Sequence, residues 1–309
     1  MTACIHDHGA FNPDEHRSRW GAEDRVGAAN FLTPERRLAA LRMVEQGEII
    51  DLSHVIENGA PRIPPNQTPF VMTLAPRADN VIKRRRAAGA MNDAGTSLER
   101  IEMCTHVGTH IDALGHVSIG ERMYNGRSTR DELDDFGLSS LGVENIPPII
   151  GRGVCLDVSG LDGGAMLGAG RAVGVDDLQR ARDKAGVDIR EGDIICINTG
   201  WGRLFMQDND RYVGGEPGID EHAAQWLTEQ GIVAIAADNM AVEVIPHPRH
   251  PELVLPVHQH TLVEAGVYLI ENIKLDELVS AGASEFCFAL LATKFKGATG
   301  CPVRPIALR

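Results

Sequence analysis

Three histidines and one aspartate, His106, His110, Asp112 and His116, fall within eleven residues in the run Cys104-Thr105-His106-Val107-Gly108-Thr109-His110-Ile111-Asp112-Ala113-Leu114-Gly115-His116. Imidazole nitrogen and carboxylate oxygen together suit zinc, manganese or iron. No cysteine occupies a spaced position, which argues against a structural thiolate site. A mixed nitrogen and oxygen site usually keeps a coordination position open for water, the arrangement of a catalytic centre.

The flanking elements must bring these side chains together. Leu98 to Cys104 alternates apolar and polar residues, the pattern of a half-buried strand. A strand continued past it would point His106, His110, Asp112 and His116 to one face, because strand side chains repeat every two residues. Gly108 and Thr109 favour a tight bend instead, one that gathers His106 and His110 on one ion with Asp112 as third ligand. Gly108 would supply close backbone approach or a positive φ. His116 then serves either as a fourth ligand or as a free base beside the ion.

With this motif the sequence resembles the cyclase-like metal-dependent hydrolases, the family of bacterial kynurenine formamidases and isatin hydrolases. Other passages agree: Trp20 to Asp24 and Asn30 to Glu35 near the start, Asp51-Leu52-Ser53-His54, Ala237 to Glu243, Leu255 to Gln259, Tyr268 to Asn272 and Gly300 to Ile306. The resemblance covers nearly the whole chain and its longer members. It implies a swivelling β/β/α fold, here a single domain over residues 48–309 behind an N-terminal extension and helix over 1–47. Composition alone says only mixed α/β.

The resemblance assigns His106, His110 and Asp112 to a first metal and makes His116 the catalytic acid and base. Members with two metals use a later histidine and a glutamate twelve residues on. Glu271 matches the glutamate, but Gln259 stands twelve residues before it, with His258 and His260 on either side. The Leu255-Pro256-x-His258 context favours His258 and implies a one-residue insertion. The expectation is therefore one tightly held divalent ion, zinc or manganese with iron possible. His258 and Glu271 would form a weak second site or contact the substrate and the ligands.

Further residues allow two readings each. Asp238 follows an apolar strand and either orients a ligand histidine or caps the next turn. Trp201 either walls a pocket for an aromatic substrate or fills the core. Glu243 is either close to the site or a solvated strand residue. Ile63 stands where formamidases carry a substrate-contacting tryptophan, which argues against a kynurenine formamidase. Ser53 and Ser97 lack a nucleophile elbow.

The chain has 309 residues and a net charge of −13, against the basic stripe of a nucleic-acid binder. Its one basic cluster, Lys83 to Arg86, reads as a solvated face, a subunit contact or an attraction for an anionic substrate. Six cysteines form no CxxC pair, and Cys155, Cys196 and Cys287 sit in apolar runs as small buried hydrophobes. No signal peptide pattern and no apolar run near the roughly 20 residues of a membrane span is present. A cytoplasmic enzyme with a small-molecule substrate, and a dimer or tetramer by resemblance, is expected.

Along the chain, Thr33-Pro34-Glu35 starts a helix expected to run to Gly47. Ile49 to Val55 reads as a strand, 57–69 as a loop near the site, and 75–97 as a mobile or partner-contacting segment. Strands at 153–158, 193–199, 232–237, 267–272 and 285–295 alternate with helices at 175–185, 220–230 and 275–281 and a helical turn at 260–266, without a strict βαβ rhythm.

The chemistry expected is hydrolysis of an amide C–N bond, cyclic or N-formyl, by a metal-activated water, with His116 passing the proton to nitrogen. Ester or lactone hydrolysis needs the same parts. A lyase, isomerase or cyclase working through an enolate would also want a Lewis acid and a base. A non-catalytic metal-binding protein would have no use for the separate His116.

Overall fold

The computed structural model describes residues 17–309, so the N-terminal His6, His8 and His16 lie outside the described residues. Nine strands form one mixed sheet. In spatial order they are Ile49–Asp51, Ile306–Leu308, Glu285–Leu290, Ile149–Asp157, Ile194–Asn198, Ala234–Ala237, Tyr268–Glu271, His110–Asp112 and Gly300–Pro302. The four from Ile149–Asp157 to Tyr268–Glu271 run parallel, and the outer strands on both sides are antiparallel. The fold is mixed α/β, as expected.

The central strands read as near-continuous apolar runs because they are buried on both faces. The helices Val175–Ala185 and Glu221–Glu229 connect successive parallel strands, and a helical segment over 256–265 leads into the fourth. A regular βαβ rhythm therefore does exist in the centre, where the sequence suggested no strict one. The antiparallel strands from both ends of the chain hide it. The core runs continuously from Ala28, Ala29 and Leu32 through Ile195, Ile235 and Leu269 to Phe286 and Ala307.

Several boundaries differ from expectation. The helix capped by Thr33, with Pro34 in its first turn, ends at Leu41 and not Gly47. Gln46 and Glu48 donate to the Arg309 carbonyl, which draws the chain out of the helix. The strand from Ile49 stops at Asp51, whose Oδ1 accepts from the backbone N–H and the hydroxyl of Ser53. The last long strand ends at Leu290, and Leu291 and Phe295 are exposed.

The half-buried strand expected over 98–104 is a strand, Glu99–Glu102, but it is exposed along its length. Among the described residues it pairs only with Val71–Leu74. Between the two strands the chain forms a helix, Ala78–Ala87, carrying Arg84, Arg85 and Arg86 in its last turn. Val71, Met72, Leu74, Leu98 and Ile101 of this arm are all exposed.

Candidate metal centre

His106 lies in the turn that precedes the short strand His110–Asp112, and His116 in the turn that follows it. Gly108 makes the bend: its φ is +73°, and a Cβ there would lie 2.7 Å from Ile56 Cγ1. Thr109 fastens the bend. Its hydroxyl donates to the Asn272 carbonyl at 2.6 Å and accepts from the His54 backbone N–H at 2.9 Å. The strand then pairs antiparallel with Tyr268–Glu271, which sets His110 opposite Glu271.

Two donor sets meet at one carboxylate. Asp112 groups with His106 and His116 on one side and with His110 and Glu271 on the other. His106 Nδ1 is 2.8 Å and His116 Nε2 4.0 Å from Asp112. His110 Nε2 lies 3.1 Å from Glu271 and 3.5 Å from Asp112. His258 Nε2 reaches the same centre, 3.1 Å from Glu271 and 3.6 Å from Asp112.

His258, not His260, is therefore the later histidine. His260 turns away to Thr228 and Glu264. The extra residue between His258 and Glu271 is absorbed locally. Residues Gln259–Ala265 form a π-helical turn, which holds one residue more than an α-helical turn. The ground for expecting a single ion, the displaced spacing, is thereby removed.

The donors fit a cation. Asp112 is fully buried, yet neither carboxylate oxygen has an aligned hydrogen-bond donor, and His110 Nε2 has no aligned partner either. Burying a carboxylate without well-aligned donors is costly, and a bound cation would offset that cost. His110 donates from Nδ1 to the Gly108 carbonyl at 2.9 Å, leaving Nε2 to face the carboxylates.

The carboxylates shift the histidine pKa values strongly while no cation is bound. Burial pushes His110 down, but the Asp112 and Glu271 carboxylates override it and raise its pKa to about 10. Burial likewise opposes the charge on His258, and Glu243 and Glu271 raise it well above its ordinary value. Burial would raise Asp112, but the surrounding histidines hold it well below the usual carboxylate range. Cation binding must displace protons from such a cluster.

His116 is different. Burial, aided by His106 and His258 against the pull of Asp112 and Glu271, lowers its pKa to about 4. Its ring stacks on His106 at 4.1 Å and its side chain keeps 28% exposure, against 1% for His110.

Asp238 makes no contact with a ligand histidine among the described residues. It accepts from Thr199 and Gly202 backbone N–H groups and the Thr199 hydroxyl, holding the turn after Ile194–Asn198. Trp201 is fully buried in a satellite core with Val107, Phe205, Tyr212 and Met240, its indole N–H donating to the Tyr212 carbonyl. Ile63 is exposed on a loop that reaches the site. Its N–H donates to Gln67, which donates to the His106 carbonyl.

Three roles went unread in the sequence. Thr299 bonds His106 Nε2 at 3.1 Å. Gly300 makes room for the His106 ring, because a Cβ there would stand 2.4 Å from Cε1. Thr109 ties the motif to Asn272. All three act on or across neighbouring strands, where local spacing gives no signal; only the glycine in Thr299-Gly300-Cys301 hinted at close approach.

The chain matches the family model described as "Putative cyclase" over residues 50–244 and belongs to that family. It is 24% identical to Cyclase-like protein 1 of Oryza sativa subsp. japonica, over 100% of this chain and 95% of that protein. A crystal structure of a novel cyclase is 32% identical with a TM-score of 0.84, covering 94% of this chain and 98% of the other. Isatin hydrolase A from Labrenzia aggregata shares the fold at 19% identity and a TM-score of 0.62, over 84% of this chain and 93% of that one. A predicted metal-dependent hydrolase from Bacillus stearothermophilus does so at 20% and 0.53, over 84% and 97%.

Proposed function

We propose that the protein is a metal-dependent hydrolase that cleaves an amide C–N bond, cyclic or N-formyl, in a small organic molecule. The observation that carries this reading is Asp112: a buried carboxylate without aligned hydrogen-bond donors, shared by two sets of metal-type ligands. His106 and Asp112 would face one divalent cation, with His116 beside it, and His110, Asp112, Glu271 and His258 another, zinc or manganese by donor chemistry. Such a cation polarises a carbonyl and lowers the pKa of water.

His116 is the proton carrier in this scheme. Its ring stands beside the donors at the margin of the centre, placed to accept a proton from the attacking water and hand it to the departing nitrogen. Its partial exposure gives it access to substrate that the buried His110 and His258 lack. Isatin is a cyclic amide, so the fold shared with isatin hydrolases supports amide cleavage.

The test is a screen of zinc- and manganese-loaded protein on formanilides, isatins, hydantoins and lactones in oxygen-18-labelled water. Amide turnover with label in the product carboxylate is expected. Turnover of lactones alone would move the assignment to esters. Product without label would move it to a lyase or isomerase.

A second copy of the chain is proposed as partner for the exposed arm. A two-stranded ribbon is marginally stable alone, and this one shows apolar side chains to solvent on both faces. Free buried thiols at Cys155, Cys196, Cys287 and Cys301 fit a reducing compartment such as the cytoplasm. No helix of the described residues is long and apolar enough to cross a membrane.

A further inference from the structure

Glu243 is one of several carboxylates buried near the centre, but it is not among the metal-type donor sets. Its Oε1 lies 2.5 Å from His258 Nδ1 and 3.2 Å from the His258 backbone nitrogen. Its Oε2 accepts from the Val257 backbone N–H at 3.4 Å. The carboxylate therefore holds both the ring of His258 and the first turn of the helical segment that carries it.

The backbone around Glu243 is built for this contact. Val242 before it has a φ of +61°, and Leu255, just ahead of the helical segment, has +55°. Both are unusual for branched side chains and persist only where packing demands them. Gly218 lies directly against Glu243: a Cβ there would fall 2.3 Å from its carbonyl carbon. Ile219 bridges to Glu243 in parallel register. Glu243 is thus fixed from behind while its carboxylate reaches forward.

We propose that Glu243 is a positioning residue for His258. Its carboxylate accepts the Nδ1 proton and leaves Nε2 as the bare nitrogen that faces Asp112 and Glu271. An imidazole has two nitrogens, and only the one without a proton can bind a cation; the hydrogen bond at the other decides which it is. Glu243 does for His258 what the Gly108 carbonyl does for His110. It adds a negative charge, which raises the basicity of the ring.

The inference rests on the reading of His258 as a cation ligand, and the experiment separates the two. Zinc-loaded protein, Glu243→Gln, Glu243→Ala and His258→Ala are compared by zinc stoichiometry, zinc affinity and nitrogen-15 NMR of the histidine rings. In the wild type, His258 should show a protonated Nδ1 with a far-downfield proton and a metal-bound Nε2. Glu243→Gln keeps the volume and should move that proton upfield and weaken one zinc equivalent about 10–100-fold, leaving the other unchanged. Glu243→Ala should weaken the same equivalent at least as much. His258→Ala should abolish it. If His258→Ala keeps full zinc affinity, the ligand reading fails. If His258→Ala loses an equivalent while both Glu243 variants keep it, with the His258 proton unmoved, Glu243 is a structural cap and the proposal falls.

Discussion

His116 and its neighbours contain the same imidazole ring in different environments, and environment divides their roles. His110 and His258 sit among carboxylates in the interior, which raise their pKa values while no cation is bound; burial at the margin lowers that of His116. Replacing His116 by Ala should leave most of the bound cation and lower turnover by about 10²–10⁴-fold, as loss of a general acid and base does. Cation analysis alongside steady-state rates checks this, and loss of the cation would make His116 a ligand first. His54 offers a separate test at this scale. It stacks on Phe205 at 4.1 Å, and burial, helped by Lys274, lowers its pKa to about 4. The folded value lies below the unfolded one near 6.5, so the unfolded chain binds more protons between the two. Stability therefore rises with pH across that window and levels off above it, an effect on the order of 2–3 kcal/mol. In urea unfolding at pH 7 and pH 4.5, His54→Phe should shrink the wild-type difference; an equal difference would contradict the assignment. The four motif residues were legible in the sequence because they are dense and all of metal-ligating type. Glu243 was not, because a single glutamate in an alternating segment looks the same whether it meets water or a buried histidine.

At the scale of elements, the site is a product of strand pairing. The short strand His110–Asp112 lies between Tyr268–Glu271 and Gly300–Pro302, and its two neighbours supply Glu271 and the space for His106. Gly300→Ala would set a methyl group 2.4 Å from the His106 ring. We expect weaker cation binding with little change in near-UV circular dichroism; wild-type affinity would show that the backbone yields. The parallel strands could be read from their apolar runs and the helices from their caps. The π-helical turn could not, because an inserted residue leaves no mark in a period read over two turns, and it made the later histidine ambiguous. The arm misled for a related reason. Alternation announces a strand with two unlike faces, but whether anything covers the apolar face is decided elsewhere.

The whole molecule is acidic, with a net charge of −13, and it gathers several carboxylates around one buried centre. Cations there and a second copy at the arm would each relieve what a lone chain leaves exposed or unpaired. Met72→Lys with Ile101→Lys should shift the protein toward monomer in sedimentation or light scattering without unfolding it; an unchanged mass would clear the arm of that role. Asp112 would be shared between two cation sites, and metal content tests that sharing. Protein loaded with zinc, dialysed and assayed by elemental analysis should hold two equivalents per chain. Asp112→Asn, which keeps the shape but removes the shared charge, should lose both together. If Asp112→Asn keeps its zinc, or if the wild type binds none, the account of this centre is wrong.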